Sequence, residues 1–365
     1  MSASETKWVR LGDLITQRRE KNLDYDVPIR GVTRDGFIPP KQEDADTSLY
    51  NVFYKYDFVF NPARMELNSI SLNLEYEKAI CSSLYEIFYV SDTSILLPEY
   101  LNLFIKRDEF ARFCWYDAIG SARNYFRVAN MQDIEIPLPS IEVQQELVDT
   151  YNGLKALAEQ NEALIPRLSA ACQAYIVDCK AKYPLVNLGD YIEEYNELNS
   201  DNKIKVVKSV SVFKEFRDTN AKVNKDELSK YKIVPDGYMS YVQTTKNEKC
   251  FACSVNHFGM PIVVTSVNRV LYVTDPEKLK IDFLFLFLNR KEFDRYAIFN
   301  SWGSAREVFQ WEDLKAVQIP LPPIDVQQAI VDVYNCMERA KNIAKQSRER
   351  LKTLCPALVQ RAANT

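Results

Sequence analysis

Apolar positions along the chain fall into two regimes, and the order of the regimes occurs twice. Short runs rich in Val, Ile, Phe and Tyr, bounded by Gly, Pro, Asn and Asp, predict β-strands. They are VPIRGVTRDGFIP, YDFVFNP and SSLYEIFYV in the first half, and IKVVKSVSVF, GYMSYVQT, MPIVVTSV and RVLYVTD in the second. A helical stretch follows each set, PEYLNLFIKRDEFARFCW or KIDFLFLFLNRKEFDRYAIF. A turn containing GSAR and a final strand, IEIPLP or VQIPLP, close each set. Ahead of each set an LGD triplet leads a polar amphipathic run, which predicts a short helix capped by Asp13 or Asp190.

After each IPLP the period changes to three and four. Val143, Leu147, Leu154, Leu157, Leu164 and Leu168 mark one apolar stripe, and Val326, Ile330, Val333, Met337, Ala344, Leu351 and Leu354 mark another. Each helix is predicted to run about 35 to 40 residues, or about 50 to 60 Å. Pro166 is expected to kink the first near its far end. A helix this long with one apolar stripe needs a partner, and the two helices can pair antiparallel if the chain turns back on itself.

The duplication is visible in the letters themselves. Residues 120–152 read GSARNYFRVANMQDIEIPLPSIEVQQELVDTYN, and residues 303–335 read GSAREVFQWEDLKAVQIPLPPIDVQQAIVDVYN. They align without a gap, with about half of the positions identical. RDEF at residue 107 matches RKEF at residue 290, and WVRLGDLITQRREKN matches PLVNLGDYIEEYNELN at the unit starts. The middle parts diverge. A period of half the chain is too long for a solenoid and means two copies of a whole domain. The expected fold class is α+β. Two tandem, similar mixed α/β domains span 1–140 and 183–323. Long helices at 141–182 and 324–365 pair as an antiparallel coiled coil with pseudo-two-fold symmetry. Such an arrangement suits a two-part DNA site, where half-site spacing mirrors the separation of the reading modules.

Composition supports a folded, soluble chain: 47% of residues are hydrophobic and 26% charged, with a mean hydropathy of −0.28. The net charge of −4 runs against a general affinity for nucleic acid. DNA senses local patches, so the charge suggests that other subunits supply part of the grip on phosphate. No stretch has the roughly 20 apolar residues of a membrane span, and the opening MSASETKWVRLGD carries no signal-peptide run. The eight scattered cysteines fit reduced thiols in a cytoplasm.

Two divergent domains, each closed by a similar long helix through PLPSIEVQQ or PLPPIDVQQ and preceded by GSAR, resemble the specificity subunit of type I restriction-modification systems. The resemblance covers essentially the whole chain and lies in order, spacing and duplication. It implies that residues 8–139 and 184–322 are target-recognition domains, each reading one half of a bipartite double-stranded DNA site. It implies that the helices set the unread spacer and that two methyltransferase subunits dock on the assembly. Those subunits would carry S-adenosylmethionine and methylate adenine, and a motor and nuclease subunit is a further partner in the family. This chain itself would hold no cofactor or metal and do no catalysis.

The residues agree on that last point. His257 is the only histidine, which argues against a His-based triad and a His-rich metal site. Cys250 and Cys253 form a lone CxxC with no second pair at zinc spacing. FNPAR at residues 60–64 lacks the second proline and aromatic of an amino-methyltransferase signature, and nine glycines leave few phosphate-cradling loops. DNA-reading candidates are Arg30 and Arg34 around a Gly-containing turn, and Arg64, Asn68 and Ser69 in a polar loop between strands. Gln243, Thr244, Lys246, Asn247 and Lys249 occupy the matching loop of the second copy, and His257 lies in a loop before a strand. Arg123 and Arg306 recur after Gly-Ser in both copies, as a phosphate contact or as an ion pair that fixes the loop. Gln144, Gln145, Gln327 and Gln328 open the long helices as helix-start residues or subunit contacts. Competing assignments are a stand-alone bipartite DNA-binding regulator and a coiled-coil scaffold that binds only proteins. An autonomous methyltransferase is disfavoured.

Overall fold

The computed structural model describes residues 7–23, 27–40, 46–118, 125–219, 223–224, 226–244, 250–303 and 307–364. The chain divides into two compact units, residues 1–160 with 343–365, and residues 161–342.

The first unit begins with β1 (Lys7–Arg10), a 3-10 turn over Leu11–Asp13, and β2 (Ile15–Arg18). A hairpin of β3 (Gly31–Thr33) and β4 (Gly36–Ile38) follows, then β5 (Asn51–Tyr54) and β6 (Phe58–Phe60). A second 3-10 turn (Met65–Leu67) leads to β7 (Ile70–Leu72), β8 (Lys78–Cys81) and β9 (Glu86–Val90). Helices α1 (Pro98–Ile105), α2 (Asp108–Ala118) and α3 (Val128–Gln132) precede β10 (Glu135–Leu138) and the long α4 (Ile141–Lys182).

The second unit has the same strands and α-helices in the same order. They are β11 (Leu185–Asn187), the 3-10 turn Leu188–Asp190, β12 (Ile192–Glu194), β13 (Lys208–Val210), β14 (Phe216–Asp218) and β15 (Lys232–Val234). Next come β16 (Met239–Val242), β17 (Cys253–Val255), β18 (Ile262–Val264) and β19 (Asn268–Val273). Helices α5 (Ile281–Leu288), α6 (Lys291–Phe299) and α7 (Trp311–Lys315) and strand β20 (Gln318–Pro320) follow, and then α8 (Ile324–Asn364), whose residues from 343 on belong to the first unit.

Pairing repeats strand for strand. The four-stranded sheets run β2-β9-β6-β7 and β12-β19-β16-β17, and the two-stranded pairs β1-β10, β3-β4 and β5-β8 have counterparts β11-β20, β13-β14 and β15-β18. All of these ladders are antiparallel. Each core lies between the four-stranded sheet and the helices. Phe58, Phe88, Tyr100, Leu101 and Phe126 fill the first, and Tyr241, Phe251, Phe283, Leu284 and Phe309 fill the second.

Three sequence expectations change. The LGD triplet is a 3-10 turn without a side-chain cap, and a strand rather than a helix follows it. The triplet serves the same purpose in both copies: the leucine is buried, and the glycine is where another chain segment passes close. A Cβ on Gly12 would stand 2.8 Å from the Gln132 carbonyl oxygen, and one on Gly189 would stand 2.8 Å from the Lys315 Cβ. Secondly, each helical stretch is two helices, broken at residues 106–107 and 289–290. Thirdly, α4 buries a different stripe from the one its leucines suggest. Leu147, Val148, Ala158, Cys172, Ile176 and Cys179 are buried in α4, whereas Val143, Leu157 and Leu164 are exposed. In α8 the expected positions Ile330, Met337 and Ala344 are buried, together with Val331, Ala340 and Ser347. Alanine, cysteine and serine in that stripe permit close approach of neighbouring backbone, which a leucine seam would hold apart. Pro166 lies within α4, and the side chain of Leu354 lies outside the described residues.

Candidate nucleic-acid interface

The QQ passage is structural in both copies, through its first glutamine. Gln144 is fully buried and donates through Nε2 to the carbonyls of Ile95 and Pro139, both at 2.9 Å, while its Oε1 accepts from the Leu97 amide at 2.8 Å. Gln327 repeats this with the carbonyls of Lys278 (2.7 Å) and Pro322 (2.8 Å) and the Lys280 amide (2.9 Å). One side chain thus ties the segment entering α1 or α5 to the first turn of the long helix. It satisfies backbone groups that would otherwise be buried without partners. Gln145 and Gln328 are outward and bond Asp149 and Asp332, each at 2.8 Å and one turn on.

The candidate base readers divide by placement. Arg30, just before β3, lies over the Tyr76 ring with 4.7 Å to its centroid and donates to the neighbouring Ile29 carbonyl at 2.7 Å. Arg34 occupies the tip of the β3-β4 hairpin, bonded to the Asp108 carboxylate at 2.6 Å and the Lys106 carbonyl at 3.2 Å. Arg64 is exposed beside the 3-10 turn that joins β6 to β7. Asn68 and Ser69 are corrected. They do not stand in an open polar loop. Asn68 is fully buried in the left-handed region (φ 52°) and donates to the Ile105 carbonyl at 2.9 Å. Ser69 donates to the Val32 carbonyl at 3.0 Å. Both pin the hairpin and α1 to the sheet.

In the second copy Gln243 and Thr244 also belong to the scaffold more than to a loop. The Gln243 carbonyl accepts from the Phe309 amide at 2.9 Å, and Thr244 forms a β-bridge with Val308. His257 stands exposed after β17, its Nε2 2.7 Å from Asp282 Oδ1 in the first turn of α5. That hydrogen bond holds the imidazole pKa above its ordinary value. Arg123, Lys246, Asn247, Lys249 and Arg306 lie outside the described residues.

Many other cations are spent internally. Arg18 forks onto Asp57 at 2.6 and 3.1 Å and packs between the Tyr54 and Tyr89 rings. Arg269 pairs with Glu194 at 2.6 Å, Lys208 with Asp218 at 2.7 Å, and Arg127 with Glu86 at 2.9 Å. A protein surface that neutralises its own cations in this way holds phosphate weakly by itself. Cys250 and Cys253 are both buried, and burial pushes the Cys253 thiol up to about 12, so the thiolate that a metal needs is disfavoured there. Among the described residues no helix is long and apolar enough to cross a membrane.

Comparison with known proteins follows the same duplication. Residues 196–353 match the family model described as the type I restriction modification DNA specificity domain. No curated protein matches the chain in sequence. The fold is similar to that of the type I restriction-modification system S subunit from M. genitalium. That match has a TM-score of 0.59 at 12% identity and covers 98% of this chain and 96% of that one. The HsdS subunit from Thermoanaerobacter tengcongensis aligns over 98% of this chain and 96% of its own at 16% identity, with a TM-score of 0.43. The family model lies on the second copy and the opening part of α8, and the first copy repeats the strand pairing of the second, so both copies have the architecture of the domain that the model describes.

Proposed function

We propose that each unit reads one half of a bipartite double-stranded DNA target and that α4 and α8 pair antiparallel to fix the unread spacer. The observation that carries this is the strand-for-strand duplication of the sheets while the sequences of the hairpins and loops diverge. A duplicated scaffold with different surface chemistry is what two different half-sites require. Helix pairing is supported within the second unit, where Ile176 and Cys179 from the end of α4 share a core with Ile330 and Val331 from the start of α8. The first unit takes in the opposite ends, residues up to 160 of α4 and residues 343–365 of α8.

The chain itself does no chemistry in this proposal. Two methyltransferase subunits carrying S-adenosylmethionine methylate one adenine per half-site in the cytoplasm, and a motor and nuclease subunit is a further partner. Co-expression with a type I methyltransferase subunit from the same genome, followed by single-molecule sequencing for methyladenine, tests the proposal. The expected result is one bipartite motif that disappears when this chain is deleted. Removing one turn from both long helices should change the spacer or abolish methylation. Unchanged spacing with full activity would refute the ruler.

A further inference from the structure

The outward faces of α2 and α6 carry a glutamate, an arginine and two aromatic residues at the same four positions. Glu109, Arg112, Phe113 and Tyr116 in the first copy correspond to Glu292, Arg295, Tyr296 and Phe299 in the second. At a helical repeat of 3.6 residues these four lie on one face. The opposite face supplies the core through Phe110 and Cys114, and through Phe293 and Ala297. The outward aromatics are left to solvent: Tyr116 is 75% exposed and Phe299 81%, with Phe113 at 45% and Tyr296 at 41%. Trp115 and Trp302 stand exposed close by. Solvated helix faces are ordinarily polar, and clustered exposed aromatics mark a surface that something covers.

The occupant follows from two properties of the face. The first is charge. Glu109 pairs with Arg112 at 3.3 Å, and Glu292 with Arg295 at 3.4 Å, so the rim of each face is neutralised within itself. A polyanion needs a cationic rim, whereas a neutral rim around aromatics complements a protein surface. The second is duplication. The face is kept in both units although the sequences of the neighbouring hairpins diverge, so it answers to a partner that is the same at both ends of the target. We infer that these faces dock the two methyltransferase subunits, one per unit, with Tyr116 and Phe299 as anchors. This rests on the specificity-subunit role proposed above and assigns the contact to the recognition domains, in addition to any contact on the long helices.

The test uses the full chain with the methyltransferase subunit, and variants Tyr116→Ala, Phe299→Ala and the double variant. Both side chains are largely exposed, so the variants should melt with the parent chain. Native mass spectrometry and titration are expected to show two methyltransferase copies on the parent. Each single variant should weaken one site about tenfold or more, and the double variant should weaken both. Methylation should fall selectively at the half-site of the altered unit. Two copies bound at unchanged affinity in every variant would overturn the inference. Weaker DNA binding with unchanged methyltransferase binding would overturn it in favour of a DNA surface, and loss of chain self-association alone would do so in favour of a second copy. A parent chain that recruits no methyltransferase and directs no methylation would instead remove the specificity role itself.

Discussion

Both units seat a two-stranded hairpin on the corner between two helices, but they do so with different chemistry at different depths. In the second unit Lys214, at the tip of β13-β14, is buried and donates to the Leu288 carbonyl at the end of α5 (3.1 Å) and to Asp294 of α6 (2.7 Å). Asp294 also accepts from the Phe251 amide at 2.9 Å. In the first unit Arg34 does the equivalent at the surface, with the Lys106 carbonyl at the end of α1 and Asp108 of α2. Lys106 then reaches back to the carbonyls of Arg34 and Ile70, the latter at 2.7 Å. What is shared is a physical demand. A helix C-terminus exposes unpaired carbonyls and partial negative charge, which a cation from the hairpin satisfies. Which residue supplies the cation, and how deeply, is free to vary. That freedom lets the hairpins change while the scaffold stays fixed.

The comparison breaks most readily at Lys214. Lys214→Met leaves Asp294 partly buried without its cation and should cost about 3 kcal/mol. Arg34→Met removes a surface pair and should cost under about 1 kcal/mol. Urea melts of both variants, with hydrogen exchange to locate the loss, test the contrast, and equal costs would sink it. Next in size, Gln144→Ala and Gln327→Ala should each cost about 2 kcal/mol, because one buried and two part-buried backbone groups lose their partner in either copy. A large difference between the two would mean that the copies are not latched alike.

The smaller effects are pH-dependent and differ between units. Burial pushes the Lys106 ammonium down to about 8. The folded unit therefore gives up that proton between about pH 8 and the ordinary lysine value while the unfolded chain keeps it, so stability rises with pH across that window. Thermal melts should show a rise of a few degrees in the first unit, absent in Lys106→Met. His257 acts in the opposite sense. Its raised pKa means that the bond to Asp282 stabilises the second unit fully below the ordinary histidine value. That contribution is lost as pH climbs past the raised one. The pair is exposed, so the shift should be about a degree, and His257→Asn should remove it.

Much of the architecture was legible in the letters. The repeat, the strands around YDFVFNP and RVLYVTD, and the two long helices are all present, because hydrophobic period and turn residues act locally. The short strands β7 and β17 lie outside the runs that the sequence singles out. The chemistry of the candidate site was less legible. Asn68 and Ser69 look like loop residues ready to meet a base, yet both are buried and bonded to backbone far away in sequence. The role of Gln144 could have been suspected from its recurrence at Gln327, but not the partners that lie on segments more than forty residues away. The sequence marks the stretches that hold α2 and α6 as helical, without showing which of their aromatics stay exposed.

The sequence by itself determined that there are two copies of one α+β domain, each closed by a long helix, because duplication and periodicity are properties of residue order. Only the tertiary structure decided which polar side chains are spent on holding the fold and which remain free for a partner. Burial and hydrogen bonding depend on what the rest of the chain brings alongside each residue, and that is set by contacts between segments distant in sequence.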